Sequence, residues 1–446
     1  MNTPIYDFVR KYADAGVSRF HMPGHKGRGA LGVEAYDITE IKGADTLYSA
    51  DGIIAESEEN ATRLFDTAHT YYSAEGSPLA IKAMLATALV NAPDGTSRTL
   101  VAARNAHKSL IYAAAELDFD VAWLYPENED HFCSCDINTS SLIEAIKAEK
   151  PFAVYVTSPD YLGKLADIAA ISEVCRRLGV PLLVDNAHGA YLAFCDSSMH
   201  PMALGADMCA DSAHKTLPVI TGGAYLHISK MTSPEYVSTV RRMLSAFAST
   251  SPSYLVLSSL DACNAELADG YSRKIAECAE AVKGIKEKLG SLGFSPIDTE
   301  PLKIVFRAND FGYSGVMLAE HLRHFSIEVE FADGEYTVLM ITPRNTDEDF
   351  SRLYTAFSSL ERKDAIKQNF TALKSAPETR LAIKKAVFSK SELVDTPSAI
   401  GRVCAAPTAA CPPAVPIVVS GEVIDKRISE LLCDFGIDKI EVVKEG

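Results

Sequence analysis

No stretch of these 446 residues is apolar for anything near the ~20 positions that a membrane-spanning helix needs. The opening residues, MNTPIYDFVRKYADAG, carry charges every few positions and lack the apolar core of a signal peptide. Basic residues are outnumbered, 43 Lys and Arg against 59 Asp and Glu, for a net charge of −16. That sign offers no footprint for nucleic-acid phosphates or for anionic membrane surfaces. The ten cysteines are scattered; their one tight pair is Cys133 with Cys135, and no Cys-x-x-Cys module repeats. Neither a zinc module nor a disulfide framework is indicated, and no metal is expected. Internal repeats and low-complexity tracts are missing too. With 47% hydrophobic and 23% charged residues, wholesale disorder is excluded. These features predict a reduced, cytoplasmic chain, and a prior of ~150 residues per domain suggests about three domains.

What is present is alternation. Short apolar runs at Val121–Tyr125, Ala153–Thr157, Pro181–Asp185, Ala224–Ile228, Lys303–Phe306, Thr337–Ile341 and Pro416–Val419 read as strands. Several are solidly apolar, as strands buried on both faces are. Helical periods fall between them, at Pro78–Val90, Lys108–Leu117, Thr139–Ala148, Ala169–Leu178 and Asp347–Leu360. Strand and helix in turn predict an α/β fold with a mainly parallel sheet. From Leu260 to Leu292 the pattern is one long amphipathic helix, or two in succession. A small α+β domain follows. After about Lys363 a polar stretch leads to the proline-rich 404–416 segment, expected as extended, packed loop. The expected layout is an N-terminal arm at 1–45, a large domain at 46–260, a small domain at 261–362 and a C-terminal domain at 363–446.

The chemistry concentrates in two segments. In VPLLVDNAHGAYLAF (180–194) an apolar run delivers Asp185 at its carboxyl end, followed by Asn186 and His188. Ligands of open parallel sheets bind beyond such ends. About 30 residues later, one strand–crossover–strand unit, Lys215 lies in the polar turn Asp211-Ser212-Ala213-His214-Lys215. A lysine with a carboxylate at that distance suits pyridoxal phosphate: the amine holds the aldehyde and the carboxylate keeps the ring nitrogen protonated. A phosphate cradle is expected at Gly76-Ser77-Pro78, with Ser77 as helix N-cap and Pro78 at the first helical position. His107, in Arg104-Asn105-Ala106-His107, is a candidate to stack on a planar ring. His21 and His25 share a four-residue spacing, but Pro23 and Gly24 break the helix that would align them on a metal.

The combination resembles the ornithine/lysine/arginine decarboxylases, pyridoxal-phosphate enzymes of the aspartate-aminotransferase fold (fold type I). The matching segments are Phe20–Gly27, Gly43–Leu47, Arg104–Ser109, Asp185–Gly189, Ser212–Pro218, Ser249–Tyr254 and Gly421–Ile424, in the family's order. The resemblance implies decarboxylation of arginine, lysine or ornithine. It implies that Lys215 anchors the cofactor, Asp185 pairs with the ring nitrogen and His107 stacks on the ring. Ser212, His214 and the Gly76–Ser77 turn would hold the phosphate, and His188 would lie near the ring hydroxyl. Thr250 and Ser251 would approach a neighbouring subunit's cofactor, which implies a homodimer with shared active sites.

Departures from the family pattern are specific. Asn186 stands where the family has an acidic residue, and Pro78 and Ala80 replace a threonine and a glycine of the phosphate loop. Asp160 and the Cys411–Ala414 segment also differ. Candidates for recognising the substrate's distal cation are Glu422, Asp160 and Asp51. The alternatives are another pyridoxal-phosphate reaction (an aminotransferase or lyase), with Arg344 as a clamp for the substrate carboxylate, a weakly active paralogue, or a non-catalytic partner subunit.

Overall fold

A computed structural model describes residues 1–126, 131–367, 375–408 and 413–445. Its strands in chain order are β1 (His69–Ser73), β2 (Thr99–Ala103), β3 (Asp120–Leu124), β4 (Ala153–Thr157), β5 (Leu182–Asp185) and β6 (Met208–Asp211). They continue with β7 (Ala224–Ile228), β8 (Lys303–Arg307), β9 (Phe331–Ala332), β10 (Tyr336–Met340), β11 (Ser391–Asp395) and β12 (Lys439–Val443). The chain divides into two compact units, residues 1–95 with 168–274, and residues 96–167 with 275–446.

In the first unit the strand order is β1-β7-β6-β5. β5 and β6 are parallel, with Asp185 opposite Ala210, as the expected crossover between Asp185 and Lys215 requires. β7 returns antiparallel to β6, and β1 antiparallel to β7. The reversal follows from the short link between β6 and β7, which holds the four-residue Ala213–Thr216 helix and Lys215. Every residue of β5, β6 and β7 is buried, which explains their largely apolar sequences, Asp185, Asp211 and His227 excepted. The long helical pattern resolves into Tyr254–Ala268 and Tyr271–Ser291, broken where Gly270 adopts φ +66°.

In the second unit β4, β2 and β3 form a parallel set in that order. β8-β10-β9 and β11-β12 are antiparallel sheets. The expected strand at Pro416–Val419 does not form. The Arg104 guanidinium binds the carbonyls of Pro416 (2.8 Å) and Ile417 (3.1 Å), leaving one isolated bridge, Thr408 to Val418. The described residues of the 404–416 segment are loop and largely buried, as their composition suggested; Cys411 lies outside the described residues.

Two carboxylates show how the first unit secures its N-terminal elements. Asp45, itself at φ +71°, accepts the N–H groups of Gly52 (2.9 Å) and Ile54 (2.9 Å) and so caps the Ile53–Leu64 helix. Asp261, fully buried, accepts those of Ile5 (2.8 Å) and Tyr6 (2.9 Å) at the start of the Pro4–Asp14 helix, and the Ser57 hydroxyl. Burial outweighs these bonds and raises its carboxyl to about 6. A raised carboxyl favours the folded state at acid pH, and that contribution is lost as pH rises through about 6. Asp261→Asn is therefore expected to gain stability relative to the parent between pH 5 and 7.5, read as the difference in Tm; a difference independent of pH would contradict the assignment.

Candidate active site

Asp185 ends β5 with 2% of its surface exposed, and its Oδ1 accepts the Ala187 N–H at 3.2 Å. The chain then turns tightly: Asn186 N–H donates to the Ala210 carbonyl (2.9 Å) and Gly189 N–H to the Asn186 carbonyl (2.8 Å). The turn carries His188, whose Nε2 lies 3.1 Å from the Lys215 Nζ. Lys215 is half-buried, and its own N–H donates to the Ser212 carbonyl at 3.0 Å. Three sequence-selected groups, Asp185, His188 and Lys215, thus belong to two turns at neighbouring strand ends.

The helix expected after the phosphate turn runs from Gly76 to Val90, two residues earlier than its apolar period suggested. Glu75, not Ser77, is its N-cap, because the Gly222 carbonyl takes the Gly76 N–H at 2.7 Å and holds the turn from outside. Ser77 is the second helical residue, and its hydroxyl accepts from Ser212 Oγ at 2.7 Å. Gly76 has φ +76°, and a Cβ there would lie 3.2 Å from Pro78 Cδ. Helical geometry supplies no i−4 carbonyl to the Ser77 N–H, so this end combines backbone donor character, two hydroxyls and a residue without a side chain. Such a donor set suits a phosphate.

His214 donates from Nδ1 to the Gly223 carbonyl (2.9 Å), and burial lowers its pKa. In the neutral ring Nε2 is then an acceptor. Donation to an anion from that nitrogen requires a second proton, which a phosphate's charge favours. Thr250 and Ser251 are exposed. Their stretch is tethered beside the phosphate turn by Ser249 N–H, which donates to Glu75 Oε1 at 2.7 Å.

His107 belongs to the second unit, where it caps the Lys108–Leu117 helix; its Nδ1 meets the Ser109 hydroxyl (2.7 Å) and accepts the Ser109 N–H (3.1 Å). Of the candidates for a distal cation, Glu422 is buried and already neutralised. Its Oε2 lies 3.3 Å from Arg104 Nη2 and accepts the Val419 N–H at 2.7 Å. Burial still raises its carboxyl, with Arg104 opposing. Asp160 is buried at the end of β4, bonded to the Ser134 hydroxyl and to the Lys164 N–H (2.9 Å). Asp51 and Arg344 are exposed. His21 meets the Tyr12 hydroxyl (2.7 Å) and His25 meets Asp37 (3.1 Å), separate partners for the two histidines of the four-residue spacing.

The family model described as "Orn/Lys/Arg decarboxylase, major domain" matches residues 3–305. The chain belongs to that family. Among curated relatives, an arginine decarboxylase of Halalkalibacterium halodurans is 29% identical, over 95% of this chain and 91% of the relative. An arginine decarboxylase of Bacillus subtilis is 28% identical, covering 95% and 92% respectively. Among solved structures, the constitutive lysine decarboxylase of E. coli matches with a TM-score of 0.79 at 17% identity. That match covers 99% of this chain and 82% of the E. coli chain, a likeness of fold. The class of activity expected from the sequence, decarboxylation of a basic amino acid, is the one its family carries. No helix among the described residues is long and apolar enough to cross a membrane.

The Arg104–Glu422 pair makes a prediction about stability. Removing one partner leaves the other as an uncompensated buried charge, a cost of ~3–5 kcal/mol. Glu422→Ala is expected to unfold at a markedly lower Tm than the parent. A Tm within a degree of the parent's would show the pair to be dispensable.

Proposed function

We propose that this chain removes the α-carboxylate of a basic L-amino acid, with arginine first among arginine, lysine and ornithine, using pyridoxal phosphate held at Lys215. The observation that carries the reading is the 3.1 Å approach of Lys215 Nζ to His188 Nε2, on the turn that begins at buried Asp185. The residues present fit the cofactor: an amine for its aldehyde, a carboxylate for its ring nitrogen, and a cradle free of side chain at Gly76 for its phosphate. When bound, the cofactor supplies an electron sink for the pair released with carbon dioxide.

The chain's own residues have separable tasks. Asp185, shielded from water, holds a proton at the ring nitrogen. Ser77 and Ser212, already hydrogen-bonded to each other, present hydroxyls to the phosphate, with His214 beside them. His188 and Lys215 are close enough to share a proton, and either can return it to the substrate's α-carbon. His107 is assigned to the ring face on resemblance. Thr250 and Ser251 are assigned on the same ground to a partner copy's site, in a cytoplasmic homodimer. Both curated relatives described above are named arginine decarboxylases, which supports the choice of arginine as first candidate.

Three experiments test this. Purified chain is incubated with pyridoxal phosphate and each of the three amino acids, and released carbon dioxide and amine are measured. Carbon dioxide with agmatine or a diamine supports the reading; a keto acid would favour transamination, and no cofactor uptake would favour a non-catalytic subunit. Lys215→Ala is expected to abolish turnover and borohydride-trapped attachment of the cofactor together. Gly76→Ala, strained by ~1–2 kcal/mol at positive φ, is expected to weaken pyridoxal phosphate binding several-fold more than pyridoxal binding, measured by equilibrium titration. Equal weakening of both would place the phosphate elsewhere.

A further inference from the structure

A second carboxylate lies at the same strand ends, on the other side of the sheet. Asp185 is opposite Ala210 in the β5–β6 register, so the next residue, Asp211, points to the opposite face. Asp211 is fully buried. Its Oδ2 accepts from His200 Nε2 (2.9 Å) and His227 Nε2 (3.1 Å). Its Oδ1 accepts from Asn186 Nδ2 (2.8 Å) and from the Cys209 thiol (3.3 Å). His200 Nδ1 accepts the Met202 N–H at 3.3 Å, so its proton sits on Nε2, facing Asp211. His227 Nδ1 meets the Thr70 hydroxyl at 2.9 Å. This is an arrangement of donors around an acceptor. Burial alone would raise the Asp211 carboxyl, but His200 and His227 outweigh it and hold it well below the ordinary range. Asp211 is an anion kept in a dry place by four donors.

The position of this anion gives it leverage. Asn186, one of the four donors, directly follows Asp185, and its carbonyl fixes the turn that carries His188. Asp211 directly precedes Ser212, whose carbonyl takes the Lys215 N–H and whose hydroxyl bonds Ser77. One carboxylate therefore ties the His188 turn to the Lys215 turn. We propose that Asp211 is a positioning residue that ties the Lys215 turn to the His188 turn and so holds Lys215 against His188. The inference rests on the reading of Lys215 as the reacting amine. The titratable groups around Asp211 are His200, His227, Cys209 and Tyr225; Lys215 faces His188 and His214.

The test is the pH dependence of Lys215 labelling by an amine-directed reagent in cofactor-free full-length protein, followed by mass spectrometry. It is applied to the parent, Asp211→Asn, His200→Leu and His200→Gln. Asp211→Asn, which disturbs that tie, is expected to move the Lys215 labelling midpoint away from the parent's. His200→Leu, which removes a donor, is expected to shift it in the same direction. His200→Gln retains an N–H near the same position and is expected to stay near the parent. A purely structural role would lower Tm and leave the midpoint unmoved; folded Asp211→Asn or His200→Leu with the parent's midpoint overturns the proposal. If Asp211→Asn does not fold, the contrast between Leu and Gln at 200 decides. Pyridoxal phosphate uptake by the parent is measured separately by visible absorbance, so failure of the cofactor reading leaves the labelling result standing.

Discussion

Everything at the candidate site depends on two chain turns leaving the carboxyl ends of parallel neighbours, β5 and β6, in one fixed register. Because side chains alternate along a strand, a slip of β5 by one residue would send Asp185 to the face that Asp211 occupies. The slip would bring two buried carboxylates onto one face and leave the Lys215 side without its acid. The backbone bond from Asn186 to the Ala210 carbonyl and the side-chain bond from Asn186 to Asp211 fix the register on both faces. Lys215 and His188 meet at 3.1 Å as a consequence of that alignment. The contact joins residues 27 apart in sequence, separated by one crossover.

Buried charge recurs in both units, and each instance is satisfied by different means. Asp211 is held by four donors from separate segments and stays anionic. Glu422 faces Arg104, whose guanidinium also takes up two backbone carbonyls. Asp261 is met by backbone and hydroxyl donors, and its carboxyl rises to about 6. The contrast follows the physics of desolvation: a carboxylate out of water remains ionised in proportion to the donors and cations aimed at it. Asp211, with two imidazoles, lies at one end of that range.

Much of this was legible in the sequence, for identifiable reasons. Strands buried on both faces announce themselves as solid apolar runs, so β4 and β7 were bounded to the residue and β5 to within one. The Lys108–Leu117 helix was equally plain, since its period is unbroken. β6 was missed because four residues, Met-Cys-Ala-Asp, are too few to show a period. β11 and β12 were missed because charged residues interrupt them. Pro416–Val419 was misread because apolarity reports burial, and a buried segment can satisfy its carbonyls with an arginine as well as with a neighbouring strand. The spacing of Asp185 and Lys215 gave the site its outline. The cage around Asp211 could not be read: His200, Cys209, Asn186 and His227 come from different segments, and none has a local signature.

The departures in the phosphate turn are best judged by position. Pro78 stands third in its helix, among the first amides that helical geometry leaves without an i−4 partner. Proline there breaks no helical hydrogen bond and costs one donor toward an anion. The turn compensates from outside the helix. Ser212 reaches across from the lysine segment to bond Ser77 at 2.7 Å, and the Gly222 carbonyl pins Gly76 from the loop before β7. An anion at this end would meet hydroxyls from two chain segments where a single loop would ordinarily supply them. The cradle and the lysine turn are therefore one mechanical unit, and Asp211, directly preceding Ser212, sits at their junction.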